Sequence, residues 1–186
     1  EGLVSFDIKK LFSHGFYSYG SSFFILNGIA ASPWLDVTDS SLSIIVPRLI
    51  TTLFMGVSLL ILTKLLEQFH SNIFEKILAL LFVVMMPGIW VNAMWFHPDY
   101  MMTAFLMASM YMLFKSKIIG DRFYWFSGLF WGISVAVKIQ AITFAPVLIW
   151  SIFILIRNNT LSENYFKIFI ASFVSIIIIF IILNPY

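Results

Sequence analysis

Apolar runs of about twenty residues, separated by short polar connections, leave this chain few folds. Leu42 to Thr63, Ile77 to Met94, Trp95 to Phe114 and Phe166 to Leu183 each approach the length of about 20 residues that a helix needs to cross a hydrocarbon core. A fifth run, Phe123 to Ile156, is interrupted only by Lys138-Ile-Gln140. As one helix it would reach about 50 Å at 1.5 Å per residue, against a core of about 30 Å. Two spans joined by a turn at Lys138 fit better. Each half is then short, so the turn lies somewhat below the membrane surface, where irregular backbone is tolerated against protein or a wet cavity. The expected fold is all-α: a polytopic transmembrane helix bundle of about six spans.

Composition points the same way. The chain is 61% hydrophobic and 11% charged, against about 25% charged in ordinary soluble proteins, and its mean hydropathy is +0.97. Aromatic residues make up 18% and fall near the ends of the apolar runs, as interfacial belts require. The absence of cysteine excludes disulfides and thiolate metal sites. A formal charge of +2, with no basic cluster interleaved with aromatics, argues against a nucleic-acid partner.

Residues 1–43 are the least membrane-like part and are expected to form an outer-face loop carrying short interfacial helices, with 44–186 as the bundle. Gly2 to Phe12 reads as a helix with a wet edge at Asp7, Lys9 and Lys10, suited to lying on a membrane. Phe23 to Trp34 is too short to cross and is expected to be interfacial or re-entrant. Asp36 and Asp39 read as loop caps. Both ends of the chain read as cut, which makes it a segment of a longer polytopic protein.

Charge placement orients the six spans. Lys64, Lys76, Lys115, Lys117, Arg122, Arg157 and Lys167 flank one side, and Lys9, Lys10, Arg48 and Lys138 the other. The excess puts the first set in the cytoplasm. Arg48, His97, Asp99 and Lys138 then share the outer face, beneath the N-terminal loop. Two readings stand side by side. In one, Arg48 and Lys138 are interfacial anchors that snorkel, and Pro98 and Asp99 open a helix, where proline lacks only an N–H that would be unpaired and the dipole favours an anion. In the other, an outward-facing pocket offers two cations to a phosphate and a carboxylate for acid or base work, since intramembrane charges are costly unless paired or wet.

Several of these residues, in order, carry a family pattern. A loop opening with an acid, Val46-Pro-Arg48-Leu-Ile, Pro87 before a turn, His97-Pro-Asp99, and Gly128-Leu-Phe-Trp-Gly132-Ile-Ser-Val-Ala-Val-Lys138 together resemble the C-type membrane glycosyltransferases, in particular the protein mannosyltransferase and aminoarabinose transferase branch. The resemblance implies transfer of a sugar from a polyprenyl-phosphate carrier to a protein, lipid or glycan acceptor on the outer face, at the cell (inner) membrane. It implies that Glu1 is the second acid of an acidic pair, and that Asp99 is the acid of the second loop. Arg48 and Lys138 become candidates for the carrier phosphate, with His97 beside them. The aspartate that should precede Glu1 is missing, as are the first membrane helix and the periplasmic C-terminal region, so the segment alone is not expected to be active. Some relatives use a divalent metal, for which Glu1, His97 and Asp99 are the only outer-face ligand set; no metal is assigned.

Other residues have ordinary explanations. His14 and His70 lie in loops, and the sequon Asn158-Asn-Thr160 falls on the cytoplasmic side. Met101 to Met112 is lipid-facing or packing surface. Gly128 and Gly132 have the GxxxG spacing of a helix contact, a common accident. From other classes, a transporter or channel module would line its path with Lys138 and Asp99, although no second copy of either motif accompanies them. A non-catalytic scaffold subunit is the third alternative.

Overall fold

The computed structural model describes residues 21–34, 41–68, 72–89, 97–119, 122–157 and 163–183. Glu1, the expected surface helix at Gly2 to Phe12, His14, Asp36, Asp39, His70 and the sequon lie outside the described residues. Every regular element among the described residues is helical: α1 Ser21–Ala31, α2 Ser41–Gln68, α3 Ile73–Val84, α4 Asp99–Ile119, α5 Arg122–Val137, α6 Ala145–Arg157 and α7 Glu163–Leu183, with 3-10 turns at Ser32–Trp34 and Ile139–Phe144.

Buried hydroxyls sit beside a core of large apolar side chains that includes Leu113, Trp131, Leu148 and Phe169, and many other large apolar side chains are exposed. Ser109, Ser127, Ser134, Ser172, Thr51 and Asn27 are buried, whereas Leu53, Leu60, Phe74, Phe82 and Trp150 are all more than 60% exposed. The hydroxyls are satisfied without water: Ser58, Thr63, Ser151 and Ser175 each donate to the carbonyl four residues back, at 2.8–2.9 Å. Such back-bonding lets a helix carry a hydroxyl where solvent cannot pair with it. Ile45–Gln68 in α2 is long and apolar enough to cross a membrane, the one helix of that kind among the described residues.

The interior is built on α5, which packs between α4 and α7. Ser127 Oγ donates to the Ser109 carbonyl at 2.8 Å, and Ser134 Oγ to the Met102 carbonyl at 2.8 Å, so α4 and α5 run antiparallel in close contact. The methionine-rich segment of α4 is packing surface: Met101 is buried against Phe23 and Val137, and Met102 and Met110 pack on the main core. Lys115 closes the far end of the pair, its ammonium 5.2 Å and 5.4 Å from the ring centres of Tyr111 and Phe123.

On the other face of α5, Gly128 and Gly132 admit α7. A Cβ on Gly128 would lie 2.3 Å from the Phe169 carbonyl oxygen, and one on Gly132 2.6 Å from Ile176 Cβ. The GxxxG spacing is therefore a true helix contact, since only glycine allows this approach.

Two elements differ from expectation. The expected continuous span Ile77 to Met94 is broken: α3 ends at Val84, Met85 caps it, and a second short helical piece begins at Pro87. The physical reason is Pro87, whose ring disfavours helical backbone at Met86 and which itself suits a first helical position. Helix α2 runs on to Gln68, beyond the expected end, with Lys64 and Glu67 paired at 3.0 Å on its last turns. The short apolar stretch from Phe23 forms α1, with one side buried and Leu26 and Ile29 exposed on the other. Phe23, Asn27 and Ala31 form a buried stripe at four-residue spacing, and α1 packs on α2 and α5.

Candidate functional site

The ends of α4 and α5 meet at a charged pair. Pro98 occupies the position before α4, its carbonyl accepting the Met102 N–H at 2.9 Å, so Asp99 rather than Pro98 is the first helical residue. At the opposite end of its neighbour, α5 finishes at Val137; the Lys138 N–H still reaches the Ser134 carbonyl at 3.0 Å, but its backbone is extended (φ −155°, ψ 119°). Because the helices are antiparallel, the electropositive N-terminus of α4 and the electronegative C-terminus of α5 lie side by side. The carboxylate stands at the first and the ammonium at the second, each where the dipole favours it.

Lys138 Nζ donates to Asp99 Oδ1, and His97 Nδ1 lies 3.0 Å from Asp99 Oδ2, a contact that becomes a second ion pair when the imidazole is protonated. Lys138 is 13% exposed, and Asp99 and His97 are each 30% exposed. The cluster is thus sheltered but open on one side. Two residues, His97 beside it in sequence and Lys138 from the end of α5, converge on the Asp99 carboxylate.

The surrounding packing holds the two backbones in place. Trp131 Nε1 donates to the Ala141 carbonyl at 3.3 Å, spanning the turn that carries Lys138, and its ring stacks on Phe173 at 3.9 Å and on Phe169 at 5.7 Å. The Ala141 N–H donates to the Lys138 carbonyl at 3.0 Å. On the α4 side, Tyr100 OH donates to the Ile89 carbonyl, tying the helix start to the turn after Pro87. Trp131→Phe keeps the stacking and removes the bond to Ala141. The variant should cost about 1 kcal/mol and speed hydrogen exchange at the Ala141 amide, while exchange at Ser109 stays unchanged.

No family model, curated protein or solved structure matches the chain. The site is therefore described by its own chemistry. Of the five residues that the sequence singles out, the structure brings together His97, Asp99 and Lys138. Arg48 does not join them: its side chain is exposed on α2, and it makes no ion pair among the described residues. Sharing a membrane face fixes a residue's depth, not the direction in which its helix turns it. Glu1 lies outside the described residues. His97 and Asp99 are two possible metal ligands, and no cluster of three such groups occurs among the described residues.

Trp131, Ser134 and Tyr100 are the supporting residues that sequence patterns miss. Ser127, Trp131 and Ser134 share one face of α5 at helical spacing, which is the available signal. Their partners are carbonyl oxygens on other elements, and those carry no sequence signature.

What the arrangement can do follows from these groups. A carboxylate can take a proton, an ammonium can face a developing phosphate charge, and an imidazole can hold the carboxylate from behind.

Proposed function

We propose that this chain is a multi-pass membrane protein that transfers a sugar from a polyprenyl-phosphate carrier to a lipid, glycan or protein acceptor outside the cytoplasm. The observation that carries the reading is the Asp99–Lys138 pair with His97 behind it. A sheltered carboxylate and ammonium at one end of an apolar bundle are the two groups an inverting transfer needs. Asp99 takes the proton of the acceptor hydroxyl as its oxygen bonds to the anomeric carbon. The bond from that carbon to the phosphate oxygen breaks, its electrons remain on the phosphate, and Lys138 meets the added charge.

The membrane reading rests on the outward apolar surface and on lengths. The 3-10 turn Ile139–Phe144 and α6 together cover about 30 Å, enough for a hydrocarbon core although α6 alone is too short. Counting α2, the interrupted stretch that begins with α3, and α4 to α7 gives about six spans. The charge asymmetry supports a position of the pair on the outer side of the cell membrane. Glu1, as the acid implied by resemblance, and Arg48 stay outside the core of this proposal.

A second reading has one observation of its own. The extended break at Lys138, in an otherwise helical apolar stretch, is the kind of interruption that lines a transport path.

The deciding experiment uses cells carrying the natural gene, with Asp99→Asn and Lys138→Ala introduced in place. Sugar transfer, normalised to the amount of protein in the membrane, should fall at least about 100-fold, the lower range for losing a general base. Normal transfer by both variants overturns the site assignment. Loss of substrate flux with no covalent product missing favours the transporter.

A further inference from the structure

The base of the proposed reaction is occupied in the resting molecule, because Asp99 Oδ1 accepts the Lys138 ammonium. The same ammonium is the group the donor's phosphate requires. We infer that a phosphodiester anion takes Lys138 from Asp99 on binding and thereby frees the carboxylate to act, so that the donor must bind before the acceptor can be deprotonated. This rests on the proposed sugar transfer for the identity of the anion.

The geometry suits a hand-over. Lys138 lies between α5 and the 3-10 turn, its backbone held by the bonds to Ser134 and Ala141 on either side, so an exchange of the ammonium's partner leaves both helices intact. When the ammonium leaves, His97 Nδ1 stays 3.0 Å from the other carboxylate oxygen, an ion pair if the imidazole is protonated. The three ammonium hydrogens serve phosphate oxygens as readily as a carboxylate. Nothing covalent changes in this step; one ion pair replaces another.

The shared ligand chemistry is a singly charged phosphodiester, present both in a prenyl-linked donor and in a phosphoglycerol headgroup. The test uses the full chain in neutral detergent, with farnesyl methyl phosphate and short-chain phosphatidylglycerol as the two probes. In the unmodified protein, modification of residue 99 by a hydrophobic carbodiimide, read by mass spectrometry, should accelerate several-fold when farnesyl methyl phosphate is added. Protection of Asp99 by that probe, or acceleration by phosphatidylglycerol alone, overturns the inference. Asp99→Asn should bind farnesyl methyl phosphate about tenfold more tightly, a coupling of ordinary size, because the probe no longer competes for Lys138. Lys138→Met should lose that binding. Equal or weaker binding by Asp99→Asn also overturns it. None of these readouts requires sugar transfer, so the inference can fail while the enzymatic reading stands.

Discussion

Gly128→Ala lowers the unfolding free energy by about 3 kcal/mol, the upper end of what overpacking ordinarily costs, and Gly132→Ala by a smaller amount. The new methyl at residue 128 would sit 2.3 Å from the Phe169 carbonyl oxygen and 2.3 Å from Ser172 Oγ. Ser172 could turn away only by giving up its bonds to the Ile168 and Phe169 carbonyls, both 2.9 Å. Phe169 is backbone and cannot turn at all, so α7 must move. At Gly132 the obstacle is the side chain of Ile176, which can give a little. Displacement of α7 also reaches the charged pair, because Trp131 stacks on Phe169 and Phe173 while bonding across the Lys138 turn. Gly56 is the matched control: nothing lies within 4 Å of its Cβ position in the middle of α2. Gly56→Ala should be neutral or stabilise by up to about 1 kcal/mol. Denaturation of the three purified variants in detergent decides the matter, and equal stabilities would contradict the close contact between α5 and α7.

That contact illustrates what is legible in a sequence of this kind. The spacing of Gly128 and Gly132 is visible, but whether a second helix uses it depends on α7, which carries no matching signature. The Lys138 break is legible for a stronger reason. An apolar run too long for one crossing must break, and its only charged residue marks the place. Counting spans then puts Asp99 and Lys138 at the same end, which is where the structure pairs them. The same count includes Arg48 and fails there, since it says nothing about rotation around a helix axis. The break at Pro87 is missed for a different reason: apolarity is continuous across it, and only the restriction that proline places on Met86 interrupts the helix. The stripe of Phe23, Asn27 and Ala31 is hidden because its neighbours are also apolar, leaving no wet face to set it off.

The charged pair itself should show strong non-additivity. Lys138→Met alone leaves the Asp99 carboxylate half-buried beside His97, and Asp99→Leu alone leaves an ammonium that is only 13% exposed. Each single change is expected to cost about 3 kcal/mol, at the low end for breaking a buried pair because Asp99 keeps some access to solvent. The double variant Asp99→Leu/Lys138→Met removes both charges and should cost far less than the sum. Apolar replacement of a buried pair is often neutral. Stability would then be largely restored, and on the proposed function sugar transfer would still be lost. That separation is the useful outcome. A pair kept for folding alone could be replaced by apolar side chains with no loss of activity, whereas a pair kept for chemistry cannot. Additive single costs, or a double variant with full activity, would argue against the coupling on which the proposed mechanism depends.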